Sequence, residues 1–128
     1  MILIDTSVWL KFFRGENEGR VVRPWILGNE ALLHPFVLGE LILGGLSQEN
    51  NVLLRSIAAC DISPPDDTFA FIRKNKLTNR GIGWVDAVLL EAGARTGARI
   101  ASYDGRLAGC AREFGRAEPI GDSNDTNP

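Results

Sequence analysis

The chain opens with an unbroken apolar run, Met1-Ile2-Leu3-Ile4, which ends at Asp5 and two hydroxyls, Thr6 and Ser7. A short run with no polar alternation predicts a strand buried on both faces, as in a parallel sheet. Its C-terminal end delivers Asp5 to the crevice where open α/β sheets place their ligands. A helix is predicted over Val8–Phe13, capped by Thr6 or Ser7. Val21, Val22, Trp25, Ile26 and Leu27 predict a second short helix, with Pro24 near its first turn and Gly28-Asn29 as its stop.

Ala31-Leu32-Leu33-His34 is a candidate second strand. Pro35 then opens a helix whose apolar face carries Phe36, Val37, Leu38, Leu41, Ile42 and Leu46, and Gly44-Gly45 weaken its end. Asn50 or Asn51 is the expected cap of a further helix through Val52, Leu53, Leu54, Ile57 and Ala58. Asp61-Ile62-Ser63 is the expected third strand. Pro64-Pro65-Asp66-Asp67 starts a helix bearing Phe69, Phe71 and Ile72 and ending in Arg73-Lys74-Asn75-Lys76. After a loop over 78–83, Trp84–Arg95 reads as a helix stopped by Gly97, and Ala98–Tyr103 as a strand ending at Asp104. A last helix is expected over Arg106–Phe114 and an edge strand at Glu118-Pro119-Ile120. Strands alternating with helices imply a parallel sheet in a three-layer α/β sandwich, one domain over residues 1–120. The polar residues 121–128 are expected to form a disordered tail.

Composition narrows the functional classes. With 128 residues, 45% hydrophobic and 23% charged, the chain is of ordinary globular make-up and sized for a single domain. No apolar run approaches the roughly 20 residues of a membrane span, so no membrane partner is expected. Asp5 interrupts any export signal at the start, which makes the cytoplasm the expected compartment. The two cysteines, Cys60 and Cys110, lack CxxC spacing and are expected to be buried free thiols. A formal net charge of -2 does not attract nucleic acid, so any phosphate contact must come from local patches or bound cations.

Three further acids stand in unusual surroundings. Glu40 lies in the apolar stretch Phe36–Leu43, Asp86 in Trp84-Val85-Asp86-Ala87-Val88-Leu89-Leu90, and Asp104 at the end of a strand, as Asp5 does. Each has an ordinary alternative: Asp5 a helix cap, Glu40 the polar side of an amphipathic helix, Asp86 a charge at a helix N-terminus, Asp104-Gly105 a turn. If the four converge, the repulsion is severe: two unit charges about 4 Å apart repel by roughly 4 kcal/mol at an effective dielectric of 20. Raised pKa values or cations must then compensate. An all-oxygen donor set suits Mg²⁺ or Mn²⁺, whose chemistry is to clamp phosphate and activate water. The single histidine, His34, precedes a proline and reads as structural rather than as a ligand.

The segments Ile4-Asp5-Thr6-Ser7, Gly39-Glu40-Leu41, Gly83-Trp84-Val85-Asp86-Ala87 and Ser102-Tyr103-Asp104-Gly105-Arg106-Leu107 together resemble the acidic motifs of PIN-domain ribonucleases, most closely the VapC-like toxins of toxin–antitoxin pairs. The resemblance covers about residues 1–120. It implies an α/β/α sandwich around a short parallel sheet and a metal pocket formed by Asp5, Glu40, Asp86 and Asp104, with Thr6, Ser7 and Ser102 as supporting hydroxyls. It further implies an Mg²⁺- or Mn²⁺-dependent endoribonuclease that cuts single-stranded RNA by a metal-activated water, with an antitoxin protein and a second copy of the chain as partners. Relatives often carry Arg before the last acid, where this chain has Tyr103; Arg106 is the alternative source of that phosphate contact.

Arg73, Lys74, Lys76 and Arg80 form a basic cluster ahead of the Asp86 helix, suited to phosphate or simply to a helix C-terminus. Trp9, Phe12, Phe13 and Trp25 are the aromatic candidates for stacking on RNA bases or for a partner groove, against the alternative of core packing. The competing readings are a phosphoryl-transfer or receiver domain, which lacks its paired acids here, and a PIN-like module that binds RNA or protein without cutting. Gly81-Ile82-Gly83 is no dinucleotide loop, because no strand precedes it.

Overall fold

β1 (Ile2–Ile4) is buried along its whole length and sits between two parallel neighbours, β2 (Ala31–Leu33) and β4 (Arg99–Ala101). A strand enclosed on every side can afford no alternation of polar residues, which is why it reads as a continuous apolar run. β3 (Ala58–Ala59) completes a four-stranded sheet in the order β3-β2-β1-β4. The computed structural model describes residues 1–120; the expected tail, 121–128, lies outside the described residues.

The strand order sets the layers. From β1 the chain steps outward through β2 to β3, then returns past β1 to β4 on its other side. Right-handed crossovers in opposite directions put their helices on opposite faces of the sheet. One group holds α1 (Thr6–Phe13), a 3₁₀ turn (Asn17–Val21), α2 (Val22–Leu27), α3 (Pro35–Leu43) and α4 (Gln48–Arg55), with α1 packed on α2 and α3. The other holds α5 (Pro65–Lys74) and α6 (Trp84–Thr96), and α7 (Gly105–Glu113) follows β4 and packs on it. The result is the three-layer α/β/α sandwich expected. The reversal of winding falls between β1 and β4, and such a switch point opens a crevice at the C-terminal ends of the strands.

Several local expectations need correction. α1 begins at Thr6, and neither Thr6 nor Ser7 caps it. α4 begins at Gln48 under a Ser47 cap, whose hydroxyl accepts the Asn50 N–H; Asn50 and Asn51 lie inside the helix. The third strand is Ala58–Ala59, not Asp61–Ser63, so Ala58 is extended rather than helical. Here the Cys60 N–H donates to the Leu33 carbonyl, and register with β2 outweighs local propensity. The edge strand at 118–120 reduces to a parallel bridge between Ile100 and Ala117.

The core gathers Leu3, Ile4, Val8, Trp9, Leu89, Leu90, Ile100 and Leu107, all essentially inaccessible. The 3₁₀ turn lies so close to α1 that a Cβ on the buried Gly19 would collide with the backbone of Phe12 and Lys11. Gly19→Ala is therefore expected to destabilise the fold by roughly 1–3 kcal/mol, the usual cost of overpacking, read as a lowered Tm in thermal unfolding.

Candidate functional site

Asp5 follows β1 directly and occupies the cap position of α1, yet its side chain makes no cap bond. The ordinary reading of Asp5 as a helix cap fails on that point. Its carboxylate instead turns into the crevice, where Oδ2 accepts from Ser7 Oγ at 2.9 Å and from Ser102 Oγ at 2.8 Å. Ser102 comes from the end of β4, 97 residues away, and both Asp5 and Ser102 are buried. Each serine oxygen also accepts a backbone N–H: Ser7 from Tyr103 at 3.0 Å, Ser102 from Asp104 at 2.9 Å. With its acceptor side engaged and its one proton given to Asp5, each hydroxyl is oriented as a donor. The two serine oxygens stand 3.4 Å apart, a close approach that neither has a second proton to turn into a bond.

The other acids arrive from three elements. Asp104 caps α7, its Oδ1 accepting the Arg106 N–H at 2.9 Å and the Leu107 N–H at 3.3 Å. The turn expected at Asp104-Gly105 is instead a helix cap, and it engages one of the two oxygens of Asp104. Glu40 is exposed on α3, and its Oε1 accepts from Thr6 Oγ1 at 2.7 Å, which ties it to the residue after Asp5. Asp86 is the third residue of α6, where Oδ2 accepts the Gly83 N–H at 3.1 Å. Gly83 has no side chain to reciprocate, so only one half of a capping box forms.

Electrostatics link the four. Burial pushes the Asp86 carboxyl above the ordinary range; the Gly83 N–H opposes this, while the charges of Asp5, Asp104 and Glu40 all push it further up. Among the described residues none of the four pairs with a lysine, arginine or histidine. Neither do any three acid, histidine or cysteine side chains form a ready-made metal cluster there. The donor set is all oxygen, with uncompensated negative charge, which fits a hard divalent cation rather than zinc.

A second buried acid, which the sequence reading passed over, shows the contrast. Glu91 of α6 sits among Leu89, Leu90 and Ala92, a signal of the same kind as Glu40 gave. It is matched from within: Arg95 Nε lies 3.2 Å from Oε2, and Ser63 Oγ donates to Oε1 at 2.8 Å. Arg95 also donates to the Asp61 carbonyl at 3.0 Å. Glu91 is thus a structural ion pair.

His34 is structural, as expected. It is fully buried and caps α3 through Nδ1, which accepts the Phe36 N–H at 3.0 Å, and burial followed by the Arg95 charge lowers its pKa. Cys60 and Cys110 are buried free thiols, raised by that burial. Tyr103 is committed elsewhere: its hydroxyl donates to the Glu18 carbonyl at 2.8 Å and Lys11 Nζ lies 5.6 Å from its ring centre. Arg106 reaches the loop before α6, donating to the Gly81 carbonyl at 3.3 Å. Arg80 is taken up by Glu113. Of the aromatic candidates, Trp9 is core, and Phe12, Phe13 and Trp25 pack against it half-buried. The large aromatics left exposed are Phe69 and Trp84.

The Asp86 shift has a consequence for stability. A folded pKa above the unfolded one favours folding at low pH, and that advantage is lost as pH rises through the folded value. Asp86→Asn, which keeps an acceptor for the Gly83 N–H, is expected to raise the Tm of metal-free protein at neutral pH. The gain should vanish below about pH 4, where the wild-type carboxyl is protonated in both states. Thermal scans from pH 3 to 8 in chelator measure it.

The family model for the PIN domain matches residues 2–113. The ribonuclease VapC32 of Mycobacterium tuberculosis is 38% identical over 121 residues, which cover 91% of this chain and 95% of that protein. A toxin–antitoxin complex from Klebsiella pneumoniae holds a chain that superposes with a TM-score of 0.71 at 15% identity, covering 95% of this chain and 99% of that one. FitAcB from Neisseria gonorrhoeae superposes with a TM-score of 0.58 at 23% identity, covering 88% of this chain and 94% of that one. At these identities the superpositions speak for the fold, and the family model and VapC32 speak for descent: the chain belongs to the PIN-domain family.

Proposed function

We propose that this chain is a metal-dependent endoribonuclease and the toxin of a toxin–antitoxin pair, with Asp5, Glu40, Asp86 and Asp104 holding a divalent cation, Mg²⁺ or Mn²⁺. The observation that carries the metal assignment is acids gathered without a cation: burial, and after it the charges of Asp5, Asp104 and Glu40, raise the Asp86 carboxyl, and no lysine, arginine or histidine pairs with any of the four among the described residues. Membership in the family and the likeness to a named ribonuclease carry the reaction class.

Such an ion, when bound, polarises a phosphate oxygen and makes a water acidic enough to attack. The protein's own part is placement. Ser7 and Ser102 lock the Asp5 carboxylate, so its second oxygen has a fixed direction. Two α7 N–H groups hold Asp104 by Oδ1, leaving Oδ2 available. Thr6 steers Glu40, and the Gly83 N–H steers Asp86. Asp5 and Asp86 are assigned as the principal ligands, and Glu40 and Asp104 complete the shell. The partners in this reading are RNA, a cognate antitoxin and a second copy of the chain, in the cytoplasm.

Incubation of purified protein with RNA should give cleavage in Mn²⁺ or Mg²⁺ and none in chelator. Asp5→Asn should lower the rate by more than about 100-fold, since it removes part of several kcal/mol of charge stabilisation. Cleavage that survives chelator or this substitution would overturn the assignment, and no cleavage of any RNA by wild type would favour the non-cleaving module. Ser102→Ala should lower metal affinity or activity roughly 10- to 100-fold by freeing the Asp5 carboxylate. Co-expression with the adjacent reading frame should yield a co-purifying complex and relieve growth arrest.

A further inference from the structure

Arg106 touches the supports of two of the four acids. It is the second residue of α7, and its backbone N–H donates to Asp104 Oδ1 at 2.9 Å. Its guanidinium Nη1 donates to the Gly81 carbonyl at 3.3 Å. Two residues further on, the Gly83 N–H donates to Asp86 Oδ2 at 3.1 Å. A single arginine thus closes a path from the carboxylate that caps α7 to the carboxylate in the first turn of α6. The two acids are near enough for the charge of Asp104 to be felt at Asp86.

The chain at Gly81 is shaped for this contact. Its φ is +76°, and a Cβ there would stand 3.0 Å from Nη1 and 3.1 Å from Cδ of Arg106. Glycine is therefore required twice, by the left-handed backbone and by the arginine lying against it. The loop has few other ties. Among the described residues, no backbone–backbone hydrogen bond joins Gly81 or Ile82 to any other residue. Ile82 packs against the core, and Arg80 pairs with Glu113 at the far end of α7. Arg80 and Arg106 are thus the polar ties between this loop and α7. Arg106 makes no ion pair among the described residues, so its guanidinium is directed at a carbonyl and leaves the acids unpaired.

We propose that Arg106 is a positioning residue: it fastens the loop before α6 to α7 and so sets the spacing of Asp86 and Asp104 across the metal site. This rests on the metal-site reading above and deepens it. Charge and geometry predict opposite signs for its removal. A guanidinium near four acids repels a cation bound among them, so losing its charge alone would tighten metal binding. A strut pre-organises two ligands, so losing it weakens metal binding. A phosphate contact would leave metal affinity alone and would show in RNA affinity and its salt dependence.

The test measures Mn²⁺ binding to the full chain without RNA, from the paramagnetic resonance of the free ion, beside the Tm in chelator. Arg106→Ala should weaken binding roughly 10-fold, the lower range for outer partners of metal ligands, with a Tm close to wild type because the residue is exposed. Arg106→Lys, which keeps the charge and a donor, should recover part of the loss. Gly81→Ala displaces the guanidinium and should weaken binding too. Combined with Arg106→Ala, it should cost less than the two separate losses multiplied, since both break one contact. Arg112→Ala removes another exposed arginine of α7 and should bind as wild type. Arg106→Ala that binds Mn²⁺ as tightly as wild type, or more tightly, would overturn the proposal; weaker binding of a short single-stranded RNA in Ca²⁺ would then mark Arg106 as a phosphate contact. A fall in Tm matching the loss of metal would also overturn it, by making Arg106 a contact of the fold at large. Wild type that binds no Mn²⁺ would sink the metal reading and the strut together, whereas equal binding by wild type and Arg106→Ala would sink the strut alone.

Discussion

A carboxylate drawn out of water must be met by a cation, by hydrogen bonds or by a proton, and this molecule is arranged around two with only part of that compensation, the buried Asp5 and the half-buried Asp86, with the exposed Glu40 and Asp104 adding their charge. Asp5 is the most enclosed of them, placed by the central strand at the point where the sheet reverses its winding. The order β3-β2-β1-β4 makes β1 and β4 neighbours although nearly the whole chain separates them. That adjacency sets Ser102 on Asp5 and Asp104 one loop away. Helices α3 and α6 bring Glu40 and Asp86 from either side. The fold concentrates negative charge where a less specialised chain would disperse it.

The same chain shows how a buried acid looks when its role is structural. Glu91 has Arg95 one helical turn away and the Ser63 hydroxyl. Asp86, five residues earlier on the same helix, has a single backbone N–H against three like charges. One acid is neutralised by the protein; the other has no cationic partner among the described residues. Hydroxyls rather than ammonium groups surround Asp5, which fixes its direction without cancelling its charge. Second-sphere donors of this kind tune a ligand while leaving it free to bind.

Much of this was legible in the chain itself. The apolar run before Asp5, the proline opening α3 and the Gly97 stop in left-handed geometry after α6 are local signals, and the structure follows them. The four acids stood out because each broke an apolar pattern or ended a strand. What stayed hidden depends on tertiary pairing. β3 settles at Ala58–Ala59 because β2 dictates the register, and two alanines carry no strand signal of their own. Thr6 and Ser7 look like helix caps to any local reading, yet both give their protons to acids of the crevice. The aromatics point the same way: Trp9 is enclosed, with Phe12 edge-on to it and Phe13 stacked on it, both half-buried, whereas Phe69 and Trp84, no less apolar, remain outside. Sequence shows which side chains are apolar; packing decides which of them find a place in the core.

The most direct measurement is an anomalous-difference map from crystals of this protein soaked in Mn²⁺. The account predicts a peak in the crevice bounded by the Asp5 and Asp86 carboxylates, within ligand distance of both, and its loss in Asp5→Asn crystals. No peak there in fully soaked crystals, or a peak that persists without the Asp5 charge, would contradict it.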